Sequence, residues 1–83
     1  MDDPVPVLFT QAGCADSRRV CAWLDAHQVA FTERNVTGDE GAARELVATG
    51  VFGTPLLVVG DTTVLGFRPA SLAAALGISE NTR

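Results

Sequence analysis

Lysine is absent from this chain, and all six cationic side chains are arginine. Lysine is thereby removed from every catalytic role. No basic run occurs and the formal net charge is −4, so the clustered cations that neutralise phosphates in nucleic-acid binding are missing. One histidine and two cysteines, at these spacings, match no zinc pattern. No apolar stretch approaches the roughly 20 residues of a membrane span, and the acidic start Met1-Asp2-Asp3-Pro4 lacks the pattern of a secretory signal. The expected setting is cytoplasmic and reducing, with neither nucleic acid nor membrane as a partner. In that setting a cysteine pair is more often reactive or merely buried than a structural disulfide. Repeats, linkers and low-complexity tracts are also wanting.

What is present suits one small folded domain spanning 1–83. Hydrophobic residues make up 47% of the chain and the mean hydropathy is +0.23, which opposes a disordered tail. Val5-Pro6-Val7-Leu8-Phe9 reads as a first strand, pairing regularly only from Val7 because proline cannot donate to a ladder. Val20, Trp23, Leu24 and His27 recur at helical spacing, predicting a helix over 14–28 with Trp23 in the core. Alternation over 29–36 predicts a second, half-exposed strand. Thr37-Gly38-Asp39-Glu40 opens a second helix running to about Thr49, with Ala42, Leu46 and Val47 as its apolar stripe.

Leu56 to Val59 is a strongly apolar third strand. Gly60-Asp61-Thr62-Thr63 marks a hairpin turn into a fourth strand over 63–67. Pro69-Ala70-Ser71 opens a last helix through Leu76, with Leu72, Ala75 and Leu76 inward and Gly77 as its cap. Residues 79–83 are expected to fray. The order β-α-β-α-β-β-α implies an α/β fold with a central mixed sheet. Strands joined through a helix are expected to pair in parallel and the last two to form a hairpin.

Cys14 stands where the first helix begins. Unpaired backbone N–H groups and the positive end of the macrodipole there favour thiolate over thiol. Arg18, one turn on, adds cationic support, while Asp16 opposes it. A working nucleophile and an inert thiol are the two readings. Cys21 lies seven residues further along the same helix, an axial separation of ~10.5 Å, whereas bridged Cα atoms are seldom more than ~7 Å apart. An internal disulfide would therefore require unwinding. Cys21 is either an apolar filler or a secondary thiol.

Cys14 just after strand one, Thr54-Pro55 just before strand three and Gly66-Phe67 after the hairpin form a recognisable order. With Leu8-Phe9-Thr10, Gly13-Cys14, Gly53-Thr54-Pro55 and Val64-Leu65-Gly66-Phe67, the chain resembles the glutaredoxin family over nearly its whole length. Gly66-Phe67 is especially similar to bacterial glutaredoxin-like redoxins, including electron donors to ribonucleotide reductase. The resemblance implies a thioredoxin-like (glutaredoxin-type) fold, a four-stranded mixed sheet flanked by three helices. It makes Cys14 the attacking cysteine, Pro55 a cis-proline, and Thr54 the residue whose backbone receives an extended peptide or a thiol ligand. Gly66 then leaves room for the substrate backbone, with Phe67 near the groove.

Two departures stand beside these matches. Ser17 occupies the place of the family's second cysteine, and Gln11 that of its common lysine. The Gly-Gly-x-Asp segment that holds the γ-glutamyl end in many members is here Gly66-Phe67-Arg68-Pro69. The implied function is a thiol–disulfide oxidoreductase acting on disulfide-containing proteins by a monothiol route. It would be a monomer with no bound cofactor, with glutathione or another low-molecular-weight thiol as co-substrate. The departures weigh against glutathione. Ser17 either supports the Cys14 sulfur or simply begins the helix. The alternatives are a redox-inactive binding module and a monothiol iron–sulfur carrier, whose Cys-Gly-Phe-Ser is matched poorly by Ala15-Asp16.

Overall fold

Both faces of a small sheet carry apolar side chains, and each face is covered by helix. In the computed structural model, which describes residues 5–78, the chain forms β1 (Val7–Thr10), α1 (Ala15–Ala26), β2 (Thr32–Asn35), α2 (Glu40–Ala48), β3 (Leu56–Val59), β4 (Thr62–Leu65) and α3 (Pro69–Leu76). Successive side chains of a strand point to opposite faces, and β1 uses both. Leu8 joins Val20, Leu24, Leu57, Val64 and Leu72 on one side. Phe9 joins Leu46 and Leu56 on the other. Thus α1 and α3 share one face, and α2 covers the opposite one.

The strand order is β2-β1-β3-β4. β1 and β2 are parallel, with Thr10 opposite Asn35. β3 and β4 form the expected hairpin. One expectation fails: β2 and β3, though joined through α2, are neither neighbours nor parallel, because β3 runs antiparallel to β1 with Leu56 opposite Phe9. β2 ends, and β3 begins, at the C-terminal end of β1. The chain between them therefore travels out along α2 and returns through 49–55. That return brings Thr54 and Pro55 to the end of the sheet where α1 starts.

Local chemistry sets the element ends. Asp39 caps α2, its Oδ1 accepting from Ala42 N at 3.0 Å, a contribution of about 1 kcal/mol. Pro69 stands in the first turn of α3, and Gly77 closes it in the left-handed region at φ +71. The second strand is shorter than predicted because Val29 N donates to Leu24 O, closing the end of α1. The fourth strand is Thr62–Leu65 and stops before Gly66, whose φ is +86. Val47 does not complete the stripe of α2 and is 56% exposed. It lies ~100° around the helix from Leu46, and Ala42 with Leu46 already fills the contact. Trp23 is only partly buried, packed at the margin of the first cluster with its ring centroid 3.9 Å from that of His27. In α3, Leu72 and Ala73 are buried, while Ala75 and Leu76 pack at the edge. The predicted fraying at 79–83 lies outside the described residues. Among the described residues, no helix is long and apolar enough to cross a membrane.

Candidate active site

The turn between β1 and α1 fixes one sulfur in place. Gly13 takes φ +76, a conformation that side-chain-bearing residues rarely adopt, and Cys14 N donates to Gln11 O at 3.2 Å. Thr37 Oγ1, at the far end of β2, accepts from Ala12 N at 2.9 Å and ties the turn to the sheet. Cys14 is the N-cap of α1, with extended backbone, and its Sγ accepts from Ser17 N at 3.4 Å. The thiol thus occupies the position usually held by a capping oxygen.

Facing it is the end of the return segment. The Thr54–Pro55 peptide bond is cis. Pro55 is fully buried, and its carbonyl accepts from Gly66 N at 2.8 Å. Cys14 Sγ donates to Thr54 O at 3.9 Å. The Thr54 hydroxyl lies 4.0 Å from Sγ and 3.1 Å from Gln11 Oε1. A hydroxyl has one proton, so it serves the carboxamide or the sulfur, not both. Thr54 N–H is bonded to no described residue.

These contacts hold the Cys14 thiol below the ordinary thiol range. The adjacent Ser17 hydroxyl contributes most, then Ser17 N–H; partial burial works against them, and the Thr54 hydroxyl and Asp16 N–H add to the lowering. The Ser17 hydroxyl is buried and meets no partner of sound hydrogen-bond geometry. A neutral thiol is a weak acceptor, so this donor finds its best match once the sulfur is ionised.

The predicted residues divide into two groups. Cys14, Ser17, Gln11, Thr54 and Pro55 converge. Gly66 joins them through Pro55, but its N–H is spent on that bond. Phe67 is partly buried and packs against the core cluster that includes Leu57 and Leu72. Arg18 is not among the influences on Cys14; its charge acts on Cys21. The Asp16 carboxylate, expected to oppose the thiolate, is held by Arg19 at 2.6 Å, while its backbone N–H favours the thiolate.

Cys21 lines a cleft beside Glu33 that Cys14 itself does not border, although Gln11, Gly13 and Ser17 line it too. Burial first, then Glu33 and Asp25, push the Cys21 thiol up. The hydroxyl of Thr54 escaped sequence reasoning, which assigned that residue a backbone role. Its contact with Gln11 joins positions 43 residues apart, and only the return of the chain could reveal it.

Comparison with known proteins places this geometry. A sequence family described as Glutaredoxin matches residues 7–64. The glutaredoxin-like protein NrdH of Lactococcus lactis subsp. cremoris is 27% identical over 66 residues, spanning 80% of this chain and 92% of the relative. The crystal structure of a thioredoxin-like protein superposes with a TM-score of 0.79 at 27% identity, covering 84% of this chain and 97% of that one. The NrdH-redoxin of Escherichia coli, at 22% identity, superposes with a TM-score of 0.72 over 93% of this chain and 97% of its own. That last likeness is one of fold, and the architecture is the thioredoxin fold of glutaredoxin-like proteins.

Proposed function

The chain belongs to the glutaredoxin family of thiol–disulfide oxidoreductases, and from that membership we propose that it reduces protein mixed disulfides through a single cysteine. The observation that carries this reading is the setting of one sulfur. Cys14 Sγ is partly exposed, capped by Ser17 N–H and flanked by the Thr54 ledge, while Cys21 opens onto a cleft that Cys14 does not line.

The Cys14 thiolate attacks the small-thiol sulfur of a protein–S–S–R disulfide. The protein sulfur leaves as thiolate and takes a proton, and Cys14 holds R as a new disulfide. A second molecule of the small thiol, as thiolate, attacks the R sulfur, yields R–S–S–R and returns the Cys14 thiolate. The net change is one protein disulfide reduced and two small thiols joined. Ser17 cannot resolve the adduct, having no thiol, but its hydroxyl and N–H stabilise the charge that returns on the sulfur. An extended substrate segment adds to the ledge through Thr54 N–H, with affinity from main-chain hydrogen bonds. Pro55, held by Gly66 N–H, fixes that ledge. Gln11 offers a neutral amide where a cation would grip a carboxylate, which favours a low-molecular-weight thiol other than glutathione. The substrates are disulfide-containing proteins, the protein acts as a monomer, and its setting is the reducing cytoplasm.

Turnover of a model protein mixed disulfide, with mass spectrometry of the trapped intermediate, tests the route. Cys14→Ser abolishes turnover, whereas Cys21→Ser leaves it intact with one small-thiol adduct on Cys14. Loss of turnover in Cys21→Ser, or an adduct that migrates to Cys21, would overturn the single-cysteine scheme.

A further inference from the structure

Thr10 and Ser17 are the two buried polar side chains among the described residues, at 2% and 3% exposure, and both line the same cleft. The cleft, about 360 Å³, opens between the C-terminal ends of β1 and β2 and the first turns of α1; it takes in Arg18, Cys21, Glu33 and Asn35, and the 11–13 turn that leads into Cys14 forms one of its walls. After β1 the chain leaves for α1 on one face, and after β2 it leaves for α2 on the other. Diverging connections at the carboxyl ends of adjacent parallel strands make the crevice in which α/β proteins hold ligands.

We propose that this cleft, which adjoins the Cys14 site without being bordered by its sulfur, is a second ligand site that takes a small zwitterion bearing a primary ammonium and a carboxylate. The inference is independent of the redox route. Glu33 is an oriented acceptor: its Oε2 receives the Thr10 hydroxyl at 2.7 Å, leaving Oε1 unbonded to any described residue. Arg19, Arg34 and Arg44 each pair with a carboxylate. Arg18, which lines the cleft, pairs with none among the described residues. Asn35 Oδ1 is spent on Thr37 N at 2.8 Å, which leaves its NH₂ to donate.

A simple anion would meet Glu33, and a simple cation would meet Arg18. A molecule with both charges satisfies the two at once through charge-assisted hydrogen bonds. Cys21, its thiol pushed up first by burial and then by Glu33 and Asp25, is a neutral wall of this site, not its nucleophile. A shallower groove along Ala12, Gly13, Ala15, Arg18 and Asn35 continues the cleft toward α1's first residue, giving space for a side chain on the ligand.

The probe is S-methyl-L-cysteine, whose blocked sulfur cannot react with Cys14, titrated into the reduced protein and followed by ¹H–¹⁵N NMR. Saturable perturbation is expected at the amides of residues 10–13, 17–21 and 33–35. Glu33→Gln and Arg18→Gln, both at exposed positions whose spectra report an intact fold, each weaken binding about tenfold, as do the N-acetyl and methyl-ester forms of the probe. Non-saturating changes, perturbation centred on residues 54–66, or equal binding by Glu33→Gln or by the blocked probes would overturn the site. No turnover is read, so this outcome and that of the Cys14 scheme are separable.

Discussion

At the residue scale, the two cysteines of one helix live in opposite electrostatic settings. Cys14 is surrounded by donors, with the Ser17 hydroxyl foremost. Cys21 is desolvated and faces carboxylates. As pH rises, iodoacetamide labelling followed by peptide mass spectrometry should therefore modify Cys14 with a midpoint below the ordinary thiol range and Cys21 with one above it. Linkage gives the matching signs for stability. Folding favours the Cys14 thiolate, a contribution fully present above the unfolded thiol pKa and lost as pH falls through the folded one. Folding disfavours the Cys21 thiolate, so stability declines as pH rises through its unfolded pKa.

Ser17→Ala removes the leading donor, and Cys14 labelling near neutrality should slow roughly three- to tenfold, in line with one hydrogen bond to a partly exposed charge. Cys14 was legible in the sequence because it stands where a helix begins, whereas the part of Pro55 came only through the resemblance carried by Gly53-Thr54-Pro55. Ser17's part was half legible. That its N–H would meet the sulfur follows from capping geometry, whereas burial of its hydroxyl required the packed structure.

At the scale of elements, turns decide where the strands and helices stop. Gly13 holds φ +76, and an added Cβ there would meet nothing within 4 Å. Gly13→Ala should accordingly cost only the left-handed penalty, about 1–2 kcal/mol, read from the urea midpoint, without a packing loss. Its second effect would be on labelling, since the turn aims the sulfur. Asp39→Ala should lower stability by about 1 kcal/mol through the lost cap of α2. β3 and α3 could be read to the residue, because an unbroken apolar run and a Pro-to-Gly bracket are strong local signals. β2 could not. Its alternation continued on paper from Val29, but Val29 N was already committed to Leu24 O. Val47 was misplaced for a related reason: periodicity nominates every apolar residue, while a nine-residue helix touches the sheet through few of them.

For the whole molecule, order was easier to foresee than direction. The sequence of elements followed from periodicity and turn residues, whereas the antiparallel β3 depended on how far the segment 49–55 carries the chain back. That return assembles the site from residues near both ends of the fold, so general loss of packing and loss of activity should run together. Leu57 is completely buried in the centre of the larger cluster. Leu57→Ala should cost about 2–5 kcal/mol, a large share of the roughly 5–15 kcal/mol typical of a whole domain. Urea unfolding measures it, and the same titration followed through Cys14 labelling should expose the sulfur in one step. The exposed Arg34–Glu45 pair, with contacts of 2.8 and 2.9 Å, links β2 to α2 yet sits in solvent. Its removal should change stability by no more than about 1 kcal/mol.

A sulfur that doubles as the helix's fastening cannot take part in chemistry without slackening what it fastens. On the single-cysteine route proposed above, Cys14 tied to a foreign thiol would bear no charge and grip Ser17 N–H weakly, and the first turn of α1 should loosen. Departure of the guest would return the thiolate's hold, and the turn should tighten. The helix start would then be tightest with the sulfur bare and ionised, a preference that by linkage should favour release of each adduct.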